Sequence, residues 1–151
     1  MSLRTSRRKG YLAAALGSAV GAAILITLGW HLGFAYTQKF MPNAELDGII
    51  PPLIGGLVGW VIGSVLGCWL ALRWRPYQGA GKTTALLAAL TPFGIFLWVF
   101  VFTNFIAPQI QFDSVGGTMN VLEFAQIQNT VRQITIGFTV VTLALLSRFL
   151  T

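Results

Sequence analysis

A chain of 151 residues with 55% hydrophobic and 9% charged side chains falls far below the roughly 25% charged content of soluble proteins, which excludes an ordinary soluble fold. Its single cysteine, Cys68, excludes an internal disulfide and a cysteine-based zinc site. The net charge of +6 is carried by few, scattered basic residues with no aromatic single-strand platform, which argues against nucleic acid as a partner. Counting the apolar runs leaves no room for a soluble domain, so residues 1–151 are read as one integral membrane domain.

A membrane-spanning helix needs roughly 20 mainly apolar residues. The first such run extends from about Tyr11 to Gly33. Before it, Ser6-Arg7-Arg8-Lys9-Gly10-Tyr11-Leu12 has a twin-arginine flavour. The following run is too long for a signal h-region and no small-x-small site closes it, so a retained first helix is expected. Within it Ala13, Gly17, Gly21, Gly29 and Gly33 keep a four-residue step broken only by Leu25.

The second run, about Ile50 to Leu72, repeats the device with Gly55, Gly59, Gly63, Gly67 and Ala71. Glycine costs a soluble helix about 1 kcal/mol relative to alanine, but in a bilayer such stripes let two backbones touch. A close antiparallel glycine-zipper hairpin of these two helices is expected. Four residues advance a helix by about 400°, so the stripe drifts roughly 40° per step. Its two halves are therefore expected to face different neighbours, one of them in a second protein. Pro51 and Pro52 suit the first turn of the second helix.

Between the second and third runs, Gly79-Ala80-Gly81-Lys82-Thr83-Thr84 resembles the end of a phosphate-binding loop. The first glycine of that motif is replaced by Pro76 and no buried strand precedes it, so no nucleotide is expected. Thr83 or Thr84 is expected to cap the third helix.

The third run, about Thr84 to Ala107, is aromatic and ends at Pro108. Phe93, Phe96 and Phe100 share a face with Asn104, while Trp98, Phe102 and Phe105 fall on another. These rings are expected to meet lipid, a partner subunit or a hydrophobic ligand. Pro92 is expected to kink the helix, eased by Gly94.

The fourth run covers about Ile134 to Leu150. Asn120 and Glu123 have capping-box spacing, and Phe124, Ile127, Val131, Ile134 and Phe138 follow at three- and four-residue steps. Gln126, Gln128, Asn129, Arg132 and Gln133 lie between them. The helix is thus expected to start near Val121 and run for roughly 45 Å, with an amphipathic outer extension.

Charge placement gives a topology. Arg4, Arg7, Arg8, Lys9, Arg73, Arg75, Lys82 and Arg148 share one side of a four-span arrangement. Lys39, Arg132 and all four acidic residues, Glu45, Asp47, Asp113 and Glu123, take the other. The positive-inside rule places both termini on the cytoplasmic or stromal side. The basic face is expected to meet anionic lipid headgroups.

No ionisable residue lies mid-span, which removes the usual marker of ion-coupled transport. The interior polar groups are hydroxyls, and no nucleophile, base and oxyanion set can be assembled. The chain is therefore read as neither an enzyme nor a metal protein. His31 could ligate the metal of a chlorophyll or haem, but structural hydrogen bonding in a polar cluster of His31, Asn104 and Arg132 is favoured. These features favour a non-catalytic accessory, scaffold or assembly subunit of a larger complex in a plasma, thylakoid or other energy-transducing membrane. Its partners would be other membrane subunits or further copies of itself, with bound lipids. The alternatives are a small oligomeric channel or transporter, and a lipid- or pigment-binding protein.

Overall fold

The computed structural model is all-helical and describes residues 3–43, 46–74, 77–110 and 121–151. Four long helices, α1 (Leu3–Phe40), α2 (Ile50–Trp74), α3 (Ala80–Val101) and α4 (Val121–Phe149), are each apolar enough to cross a membrane. A 3-10 turn at Leu46–Ile49 leads into α2, and a π turn at Phe102–Ile106 carries α3 on into helical residues 107–110. Arg75, Pro76, Glu45, Asp113 and the Asn120 half of the expected capping box lie outside the described residues, as do the side chains of Arg4, Arg7, Arg8 and Lys9.

The exterior is apolar and the core is thin, as suits a bundle whose solvent is hydrocarbon. Leu12, Leu16, Val20, Ile24, Leu28 and Leu32 stand exposed along α1 at four-residue steps. Ile50, Ile54, Val58, Ile62, Leu66 and Leu70 do the same along α2. At the proximal end, near the α2–α3 turn, Ala14, Cys68, Leu72 and Leu87 form the buried cluster. Nearer the middle of the bundle, Ala22, Trp60 and Val140 form another. The distal turn is closed by Thr37, whose hydroxyl donates to the carbonyls of Gly33 (3.1 Å) and Gly48 (3.0 Å).

Three local expectations change. α3 starts earlier than Thr84: Gly79, at φ 80°, precedes it without a side-chain cap. Thr83 and Thr84 instead return their hydroxyls to carbonyls one turn back, at Gly79 and Ala80. α3 also runs as an α-helix through Pro92, and its irregular backbone lies at Phe102–Ile106 instead. A π turn opens carbonyls that its neighbours can satisfy. Thr103 donates to Val99 O (2.7 Å) and the Asn104 amide to Phe100 O (2.8 Å).

Gly94 serves α3 as a socket for α4. A Cβ there would strike Leu143 Cδ1 and lie 3.2 Å from its Cγ. Gly94→Ala is expected to cost about 1–2 kcal/mol in thermal unfolding. Adding Leu143→Ala should give a double variant about 1 kcal/mol more stable than the two single losses added together.

Candidate functional site: a bare-backbone hairpin and a tryptophan-lined cavity

The small residues of α1 and α2 lie against one another. A Cβ at Gly17 would collide with Ala71 Cβ and the Gly67 carbonyl, and one at Gly21 with the Gly63 carbonyl. Gly29 and Gly55 stand in the same relation, and Gly33 meets Pro51 and Pro52. Where α1 has Leu25 in place of a small residue, α2 supplies Gly59, whose missing side chain leaves room for the Leu25 carbonyl and for Ile26 N at 2.9 Å. Ala13 packs beside the proximal buried cluster.

Each four-residue step along α1 is thus matched by a four-residue step back along α2. This corrects the expectation that the two halves of the stripe face different neighbours: α1 meets it from Gly55 to Ala71. The drift is absorbed because two helices can wind around each other, and a contact repeat longer than 3.6 residues calls for a right-handed wrap.

The aromatic residues of α3 divide. Phe93 and Phe96 are both 74% exposed, and Phe100 and Phe105 are exposed as well. Trp98 and Phe102 turn inward. The Trp98 ring stacks on Phe102 (centroids 5.2 Å) and meets Trp60 edge-on (5.5 Å), while its Nε1 donates to Thr135 Oγ1 at 3.0 Å.

No hydrogen bond joins His31, Asn104 and Arg132. Asn104 is satisfied on its own helix, Arg132 Nη2 donates to Asn129 Oδ1 (2.7 Å), and His31 is exposed on α1. A helical side chain finds the carbonyl or amide one turn away at less entropic cost than a partner on another helix. Among the described residues no group of three or more His, Cys, Asp or Glu could hold a metal.

Arg132 instead lines a cavity of about 410 Å³ to which all four helices contribute. Trp30 on α1, Trp60 on α2 and Trp98 on α3 form its aromatic lining, and Asn129, Arg132, Gln133 and Ile136 supply the α4 wall. Those four α4 positions share one helical face. The polar side of the amphipathic segment is thus turned toward the tryptophans. Trp60 is 2% exposed, and its Nε1 is buried with no hydrogen-bond partner. A smaller recess of about 200 Å³ shares Asn129 and Arg132 and reaches Phe102.

Sequence reasoning also missed Arg148. It is not a headgroup-facing charge at the helix end: it is 6% exposed and lies over the α2–α3 turn. Its Nη1 donates to Gln78 O (3.0 Å) and Thr83 Oγ1 (3.1 Å). Gly10 leaves room for it, since a Cβ there would lie 3.0 Å from Nη2. Thr83 Oγ1 in turn shares a 2.7 Å hydrogen bond with Thr151. No sequence signal marks this role, because Gly10 and Gln78 are distant from Arg148 in the chain.

Compared with known proteins, the chain matches no family model, no curated protein and no solved structure. Its four apolar helices place it among multi-pass α-helical membrane proteins.

Proposed function

We propose that the chain is a non-catalytic accessory, scaffold or assembly subunit of a larger membrane complex, acting by helix–helix packing. Both termini are assigned to the cytoplasmic or stromal side on the charge asymmetry of the loops. The observation that carries the proposal is the outward face of the α1–α2 hairpin. Its two exposed aliphatic ridges flank shallow apolar grooves of about 630 and 620 Å³ over the glycine contacts. A hairpin whose backbones meet at this many points is stiff, and a stiff ridged face suits the packing of further helices, because shape rather than hydrophobic force drives association in lipid. The exposed phenylalanines of α3 offer a second apolar face.

The test is purification in mild detergent followed by native electrophoresis and mass spectrometry. The chain is expected to migrate with larger subunits in fixed ratio. Ile24→Trp with Ile62→Trp, both on the exposed ridges, should release it as a folded species. Migration of the wild-type chain alone, at the mass of one chain plus detergent, would end the proposal.

A further inference from the structure

The tryptophan-lined cavity is a different surface from the hairpin face and does not depend on the scaffold reading. At about 410 Å³ it falls within the roughly 300–1,000 Å³ of small-ligand sites. Its chemistry is divided. Its α4 lining carries Asn129, Arg132 and Gln133, while the other helices contribute Trp30, Trp60 and Trp98. Two features of this division call for a ligand.

The first is Trp60. Its indole N–H is sealed inside the protein, so it turns only ring surface to the cavity. Its neighbour Trp98 does have an acceptor, Thr135 Oγ1. Neither ring brings a free donor within a ligand's reach, and with Trp30 they make an apolar wall. The second is Arg132. A guanidinium presents five N–H donors, and among the described residues one of them is used, on Asn129. That bond also fixes the direction of the side chain along the α4 face that lines the cavity. A ligand that satisfied both would carry an anionic oxygen group at one end and hydrocarbon at the other.

We propose that this cavity binds an anionic amphipath, its acid group held by Arg132 and Gln133 and its apolar part against the tryptophans. Two sources share this chemistry: an anionic phospholipid of the surrounding bilayer and a free long-chain carboxylate.

The experiment is a thermophoresis titration of the delipidated, detergent-solubilised full chain with dioleoyl-phosphatidylglycerol, dioleoyl-phosphatidylcholine or sodium oleate. Phosphatidylglycerol or oleate should bind at least about tenfold more tightly than phosphatidylcholine, the value expected of one charge-assisted hydrogen bond. The tighter of the two identifies the source. Arg132→Gln, at an exposed position, should abolish that preference. Trp30→Ala, which removes one ring of the lining, should weaken binding about two- to tenfold. Arg73→Gln, at the exposed proximal end of α2 where Arg73 rests on the Trp69 ring, should leave both unchanged. Equal binding of all three probes, or an Arg132→Gln chain that still prefers the anionic probe, overturns the proposal. Size-exclusion and circular dichroism profiles matching wild type establish that each variant is folded.

Discussion

Gly59→Leu should destabilise the chain by about 3 kcal/mol or more, the upper end of overpacking losses, lowering Tm by roughly 6–12 °C for a chain of this size. The reason is which atoms the new side chain meets. At Gly59 the first obstacles are the carbonyl of Leu25 and, 2.9 Å away, the amide nitrogen of Ile26. Flexible side chains can swing aside; helical backbone moves only with its whole helix. Leucine at this place therefore forces α1 and α2 apart, and the contacts at Gly55, Gly63 and Gly67 are lost with it. Val61→Leu, two residues away on a half-buried face, adds one methylene and should cost less than about 1.5 kcal/mol. The comparison is made by thermal unfolding in mild detergent, with size exclusion to follow aggregation. If the two variants melt together, close backbone packing at this stripe is wrong.

The second large effect is expected at Arg148. Replacing it with leucine removes two hydrogen bonds from a charged donor, to Gln78 O and Thr83 Oγ1. Bonds of this type contribute about 1.5–3 kcal/mol each, but relief of a buried guanidinium offsets part of that. A net loss of about 2 kcal/mol follows. The change should be local. Thr83 keeps its bonds to Gly79 O and Thr151, whereas the Gln78 carbonyl loses the tie to α4. Limited proteolysis should therefore cut the α2–α3 turn in Arg148→Leu faster than in wild type. Arg148→Lys should recover only part of the protection, since an ammonium cannot reproduce a planar fork. Equal cleavage rates in all three chains would show that the arginine does not hold the turn.

These two sites mark what the sequence could and could not reveal. The four apolar helices were legible because length and hydropathy are local properties, and the glycine stripes because a missing side chain recurs with a period. What the stripes faced was not legible. Between straight rods the stripe drifts off its neighbour, whereas coiling lets α1 follow it from Gly55 to Ala71. Arg148 read as a topology charge because its burial depends on Gly10 and Gln78, distant in the chain. The cavity was missed for a similar reason. Trp30, Trp60 and Trp98 stand on three different helices, and only the fold brings them together with Arg132. The local polar expectation went astray in the other direction: Asn104 and Arg132 found partners on their own helices, leaving His31 apart.

The repeating contact of α1 with α2 carries a further consequence. A pattern that recurs every fourth residue on both partners is nearly self-similar under translation. If α1 slid by one step, Gly17 would meet Gly63 in place of Gly67, and Gly21 would meet Gly59 in place of Gly63. The small residues thus secure proximity while leaving the vertical alignment almost degenerate. That alignment is fixed by what does not repeat: the short distal turn, the Thr37 hydroxyl on Gly48, and the two prolines under Gly33.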